Sequence, residues 1–171
     1  MAEPPIGSVT AFAGPLNVVP QNWLVCDGRA LDRHRFTALF DVVGTCWGGD
    51  ANPNFRLPDL RGQFLRGVDK AHDGTASNPP VDMDRDQRVG FVPPGDPNNT
   101  GNAGNDVGSF QPDELRSHYH TSPAISGASN GGNDGGGWHS TRQNHNDPTT
   151  STGGSETRPK NAYVFWIIKA S

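Results

Sequence analysis

The apolar residues are spread too unevenly for this chain to fold as one evenly packed domain. Residues 1–68 hold 31 of the 55 apolar residues, residues 162–171 hold 8, and the 93 residues of 69–161 hold only 16. A segment so poor in apolar side chains cannot bury enough surface to offset the entropy of ordering it. The pattern predicts a compact module from residues 1–68, closed by a returning C-terminal strand from 162–171. Residues 69–161 become a long polar excursion rich in Gly, Asn, Asp and Ser. The fold class is α+β, mostly β and loop-rich, with one short helix. A loop of that length is not expected to stand unsupported in a compact domain. Either it is disordered, or excursions from several identical chains interweave and bury one another.

Local patterns place the elements. "PIGSVTAFAG" (5–14) predicts a strand ended by Gly14-Pro15, and "NWLVCDG" (22–28) a second, ended by the Asp27-Gly28 turn. "ALDRHRFTALFDVVG" (30–44) predicts a helix with Asp32 as N-cap, Leu31 stapled to Phe36, and Gly44 ending it. Phe36, Leu39, Phe40 and Val43 then form one apolar stripe, which leaves His34 on the solvent side. "NFRLPDLRGQFLRG" (54–67) reads as short strands and tight turns. "AYVFWIIK" (162–169) reads as a strand apolar on both faces, hence covered on both, with a second subunit as a plausible cover.

The net charge of −4 excludes a general phosphate-backbone binder, which needs a basic patch. "MAEPPIGSV" lacks the basic and apolar regions of a signal peptide. The longest apolar run is too short to span a bilayer. Synthesis in the cytoplasm without membrane insertion follows as an expectation. Cys26 and Cys46, with apolar neighbours, read as reduced buried thiols, the wrong setting for a thiolate nucleophile. No nucleophile elbow, zinc-protease, P-loop or dinucleotide motif occurs, so an enzyme is not expected. A polysaccharide hydrolase would need paired carboxylates, and the spacing of Asp59 and Asp69 gives no reason to pair them. Asp50, Asn52 and Asn54, and likewise Asp82, Asp84 and Asp86, alternate oxygen ligands. Phe55 and Gln87 stand where a calcium loop needs Gly, so both runs read as solvated turns.

Two features of the excursion stand out. Trp138, inside "GGGWHS", is costly if bare; it either anchors a ligand or packs onto a neighbouring chain. His118 and His120, in "RSHYHTS", point to one side if that stretch is extended. Two imidazoles are too few for a metal site in one chain. Three copies about a threefold axis would bring six together, an octahedral set suited to a transition metal such as iron.

"PIGSVTAFAG", "NWLVCDGRAL" and "FTALFDVVGTCWGGD…NFRLPDLRGQFLRG" together resemble the phage tail collar family, and "GSFQPDELRSHYH" and "ETRPKNAYVFWIIKA" follow in the matching order. The resemblance implies a small collar module with a long Gly/Asn-rich insertion, intertwined in a homotrimer. It implies a short-fibre or tail-tip protein of a phage or phage-derived contractile injection system, carried in the particle and extracellular on release. The expected partners are other copies of the chain, tail or baseplate proteins, and a cell-surface glycan. Contact residues would be Trp138, His139, Asn144 and Asn146. Because H-x-H occurs once, His118 and His120 would hold one transition metal ion per trimer, iron or zinc, rather than a string of them. The alternative is a non-adhesive trimeric cap, plug or connector of the tail or baseplate, since no shaft repeats accompany the module.

Overall fold

Strands drawn from distant parts of the sequence meet in a three-stranded sheet, in a computed structural model that describes residues 2–93, 95–115, 117 and 157–171. In chain order the strands are β1 (Val9–Phe12), β2 (Trp23–Val25), β3 (Ala30–Asp32), β4 (Asn54–Arg56), β5 (Val89–Gly90), β6 (Ser109–Phe110) and β7 (Phe165–Lys169). The single α-helix among the described residues, α1 (Thr37–Val43), lies between β3 and β4. β7 inserts between β1 and β2, antiparallel to both, and sets Ile168 opposite Val9 and Leu24. β3 pairs with β4, and β5 with β6. The strands expected at both ends of the collar are therefore present, and the returning strand is the middle one.

Successive side chains of a strand face opposite ways. Ile168 faces a core with Cys26, Leu31, Leu39, Phe55, Leu57 and Leu60, while Ile167, on the other parity, is also buried. The Phe40 and Phe55 rings meet at 5.3 Å and 59°. Leu39, Phe55 and Leu57 are fully buried, and each contributes about 1.5–3 kcal/mol from the area it removes from water. Tyr163 and Val164, expected in the last strand, precede it and are exposed.

The helix begins later than the sequence predicts. Asp32 is not its N-cap: it closes β3, and its Oδ1 accepts the His34 N–H at 2.7 Å in a turn. Leu31 pairs with Phe55 across β3–β4 rather than stapling to Phe36. Arg33 is held outside the helix as well, its N–H donating to Pro53 O and its Nη1 to Ala51 O (both 2.9 Å). Strand pairing thus claims the residues that local capping rules give to the helix. The stripe itself survives, with Leu39 and Val43 buried and Phe36 and Phe40 packed against the core. Gly44 ends the helix at φ 51°, its N–H on Phe40 O (2.8 Å), and His34 is exposed.

Two compact units divide the chain: Met1–Pro112 with Lys160–Ser171, and Asp113–Pro159. The first unit runs well past residue 68. Loop 101–108 lies against the Cys46–Gly49 turn, with Asn102 N–H donating to Cys46 O (2.9 Å). At Gly108, φ 93°, any Cβ would collide with the Cys46 carbonyl. Among the described residues of 69–112 the chain builds a polar core.

Candidate functional site

That polar core is organised on Asp69, and it borders a cavity in the first unit. The buried Asp69 carboxylate accepts from Val81 N (2.9 Å), Asp82 N (3.1 Å), Arg85 Nη1 (2.9 Å) and the Ser77 hydroxyl. Asn105 grips the backbone of Asp69 from both sides, accepting its N–H at 3.0 Å and donating to its carbonyl at 2.8 Å. Arg85 also donates to Ser77 O at 2.7 Å. Asp82 receives two arginines, Arg66 at 3.1 Å and Arg88 at 3.8 Å. Arg88 spans the β5–β6 hairpin to Ser109 Oγ (2.9 Å) and Gln111 Oε1 (3.0 Å). No buried side-chain N or O among the described residues lacks a partner. A polar network pinned this way specifies one arrangement, because each group left alone would carry its full desolvation cost.

"DMDRD" is therefore not a solvated turn throughout, as its spacing suggested. Asp82 is buried because two guanidiniums neutralise it, while Asp84 and Asp86 stay outside. The Asp50 turn is as expected, its Oδ1 accepting the Asn52 N–H at 2.9 Å. The sequence signal for the polar core was there in the Asp/Arg alternation of "DMDRDQR"; the ion-pair pattern only became legible with Asp69 and Arg66 beside it.

Between the turn 59–68 and the loop 105–111 lies a cavity of about 250 Å³. Trp47, Phe91 and Phe110 supply aromatic surface, the last two in edge contact at 6.3 Å. Phe64 reaches the rim, 64% exposed. Asp59, Asp69 and Asp82 all border this space, and Asp59 and Asp69 are both held as carboxylates. The bond from Arg61 (Nε to Oδ1, 2.7 Å) holds the Asp59 carboxyl below its usual range against an opposing push from burial. Burial pushes Asp69 up, but the N–H groups of Asp82 and Val81 and the Arg85 guanidinium outweigh it and leave its pKa lowered. Cleft acids that protonate leaving groups have raised values.

His118 and His120, and the contact candidates Trp138, His139, Asn144 and Asn146, lie outside the described residues. Among the described residues no three His, Cys, Asp or Glu side chains are grouped to hold a metal ion, and no helix is long and apolar enough to cross a membrane.

Cys26 and Cys46 are both free thiols. Burial, with Asp27 adding to it, pushes the Cys26 thiol up to about 12, so it has almost no thiolate at neutral pH. In the native protein iodoacetamide is expected to leave Cys26 unmodified and to reach it only after unfolding, read as mass of the Cys26 peptide; native labelling of Cys26 at the rate of a free thiol would contradict its burial.

Residues 7–65 match the phage tail collar domain family. Protein RhiB of Rhizobium leguminosarum bv. viciae is 37% identical over 175 residues, an alignment that takes in 98% of this chain and 68% of RhiB.

Proposed function

We propose that this chain, which belongs to the phage tail collar domain family, works as a homotrimeric tail-tip component that attaches a phage, or a phage-derived contractile injection particle, to a host surface. Membership makes it a structural protein of the tail-fibre type. The observation that supports assembly is the apolar surface that the single chain leaves bare. Phe64, Leu65, Val81, Met83 and Tyr163 are all exposed, more large apolar groups than a chain this short of them leaves idle without a partner. Identical chains closing on a threefold axis, and the tail or baseplate proteins they contact, are the partners that fit.

The attachment role places receptor contacts on Trp138, His139, Asn144 and Asn146, and its ligand is a cell-surface glycan. The same proposal puts one transition metal ion, iron or zinc, on the threefold axis between His118 and His120 of three copies; it rests on the spacing of the two imidazoles. Mass in solution tests the trimer. Elemental content of that trimer is expected to be about one metal ion per three chains, as one six-nitrogen site requires, and to fall to zero in His118→Ala. A folded monomer would remove both proposals. Whole-cell binding unchanged by Trp138→Ala and by deletion of 130–146, with the protein still co-purifying with tail components, would replace attachment by the cap or connector role.

A further inference from the structure

We propose that the groove between residues 59–68 and 105–111 is completed by a second copy of this chain, which lays its segment 160–164 along the free edge of β1 and sets Tyr163 into the space; the inference rests on the trimeric assembly proposed above and names the contact through which copies join.

The segment has nothing to do within its own chain. Tyr163 is 96% exposed and Val164 is exposed beside it, and both precede β7 without pairing to a neighbouring strand. A tyrosine so bare does not enter the groove of its own chain. Covering its ring removes about 150–250 Å² from water, and it favours surroundings that are apolar at one end and polar at the other. The groove offers both. Trp47, Phe91 and Phe110 supply aromatic wall. The half-buried Gln63 side chain also lines the space and makes no hydrogen bond among the described residues, so it can meet the phenol O–H. A volume of about 250 Å³ falls below the ~300–1,000 Å³ of sites that enclose drug-sized ligands, and suits one ring-bearing side chain. Phe64 and Leu65, exposed at the turn 59–68, extend the same contact.

Backbone and charge fix the occupant. β1 is an edge strand, with β7 on one side only. On its outer side alternate residues present N–H and C=O groups that find no partner among the described residues. Val9 belongs to β1 and also lines the groove. An added strand therefore passes over the cavity and drops alternate side chains toward it, the mode in which sheet edges recognise extended segments. With Tyr163 inward, Ala162 and Val164 face the other way.

The lining carries four carboxylates, Asp59, Asp69, Asp82 and Asp106, against two guanidiniums, Arg66 and Arg88. Both guanidiniums are on Asp82. The cations on the other three acids, Arg61, Arg85 (itself shared with Asp86) and Lys70, stand outside the lining. The surface turned to the occupant is therefore acidic, and Asp106, its side chain 55% exposed, is the accessible acid. Lys160 is exposed and lies about 10 Å along the chain from Tyr163, so the segment brings a cation to that rim. Groove and segment are different surfaces of one chain. The contact is head-to-tail, the kind that closes into a ring.

The test uses full-length Tyr163→Ala, which leaves every groove empty, and a synthetic peptide with the sequence of residues 157–165. Tyr163→Ala is expected to weaken assembly at least about tenfold, read as mass in solution against concentration; Tyr163→Phe, which keeps the ring, should lose less. NMR of the Tyr163→Ala chain should show the peptide shifting the Trp47 indole and the Gln63 side-chain amide, with a dissociation constant on the order of 0.1 mM. Peptides carrying Tyr163→Ala or Lys160→Glu should bind at least about tenfold and several-fold more weakly, respectively, and added salt should weaken the parent peptide. Tyr163→Ala that assembles as tightly as the parent would overturn the contact and leave the trimer standing. Equal binding by the Tyr163→Ala peptide would also overturn it, as would Trp47 and Gln63 signals that no peptide moves, which would leave the groove to a different partner. A trimer that dissociates on Tyr163→Ala, but whose parent form never attaches to cells, would keep the contact and remove the attachment role.

Discussion

Phe55→Ala is expected to lower the unfolding free energy by about 3–5 kcal/mol, the cost of deleting a buried aromatic ring and leaving its cavity. Phe55 is fully buried, packs on Phe40, and faces Leu31 across β3–β4. It also lies against the turn before it, since a Cβ on Gly49 would press on the Phe55 backbone. Local collapse cannot fill the space, because the neighbours that would have to move are tied to two strands and a helix. Urea unfolding at fixed protomer concentration measures the loss as a lower midpoint at unchanged slope. Val42→Ala, on the exposed side of α1, serves as the control and should stay within about 0.5 kcal/mol of the parent. A Phe55→Ala loss below about 1 kcal/mol would mean that the collar core is held elsewhere.

Breaking the Asp69–Arg85 pair should have the second large effect, confined to one region. In Arg85→Ala the buried Asp69 carboxylate loses its cation, and Ser77 loses the guanidinium on its carbonyl. Truncating one partner of a buried pair costs more than the pair is worth, because the remaining charge is stranded. Limited proteolysis should then cut within 69–112 at least about tenfold faster, while β1, β2 and β7 stay protected. Arg85→Lys should fall between, since lysine restores the charge without the fixed fork. Equal cleavage of parent and Arg85→Ala would remove Asp69 from the centre of the polar core.

Acid should reach the same network. The folded-state values of Asp59 and Asp69 are both lowered from 3.8. The stability they contribute is therefore complete above that value and is lost as pH falls through the lowered ones. Melting temperature should stay level with respect to these two groups from pH 7 down to about 5 and fall steeply below about 4. Asp69→Asn should flatten part of that fall. A decline centred near pH 6 would point to a histidine instead.

How much of this could be read from the residues depends on which force sets each element. β1, β2, β7 and the stripe of α1 follow from apolar periodicity, which survives whatever the tertiary context does to the ends. The start of α1 does not, because Asp32 can either cap a helix or close a strand, and only the presence of Asn54–Arg56 alongside decides. The polar core is harder still. Asp69, Asp82, Arg85 and Arg88 carry no periodicity, and a count of apolar residues treats them as a deficit when in fact they substitute for one. The groove depends on loops brought together from 59–68 and 105–111, a juxtaposition that no local pattern encodes. His118 and His120 lie outside the described residues.

The position of β7 also sets a clock. Roughly 140 residues separate the end of β2 from the start of β7, and closing so long a loop costs about 4 kcal/mol before any strand contact repays it. As the ribosome works from the N-terminus, β1 and β2 emerge with an empty lane between them, and Leu24 and Val9 have no Ile168 to meet. A chain cut short before β7 would keep those edges open and unable to pair with each other in the native way. Such a product would be a substrate for proteases and chaperones until β7 emerges and fills the lane between β1 and β2.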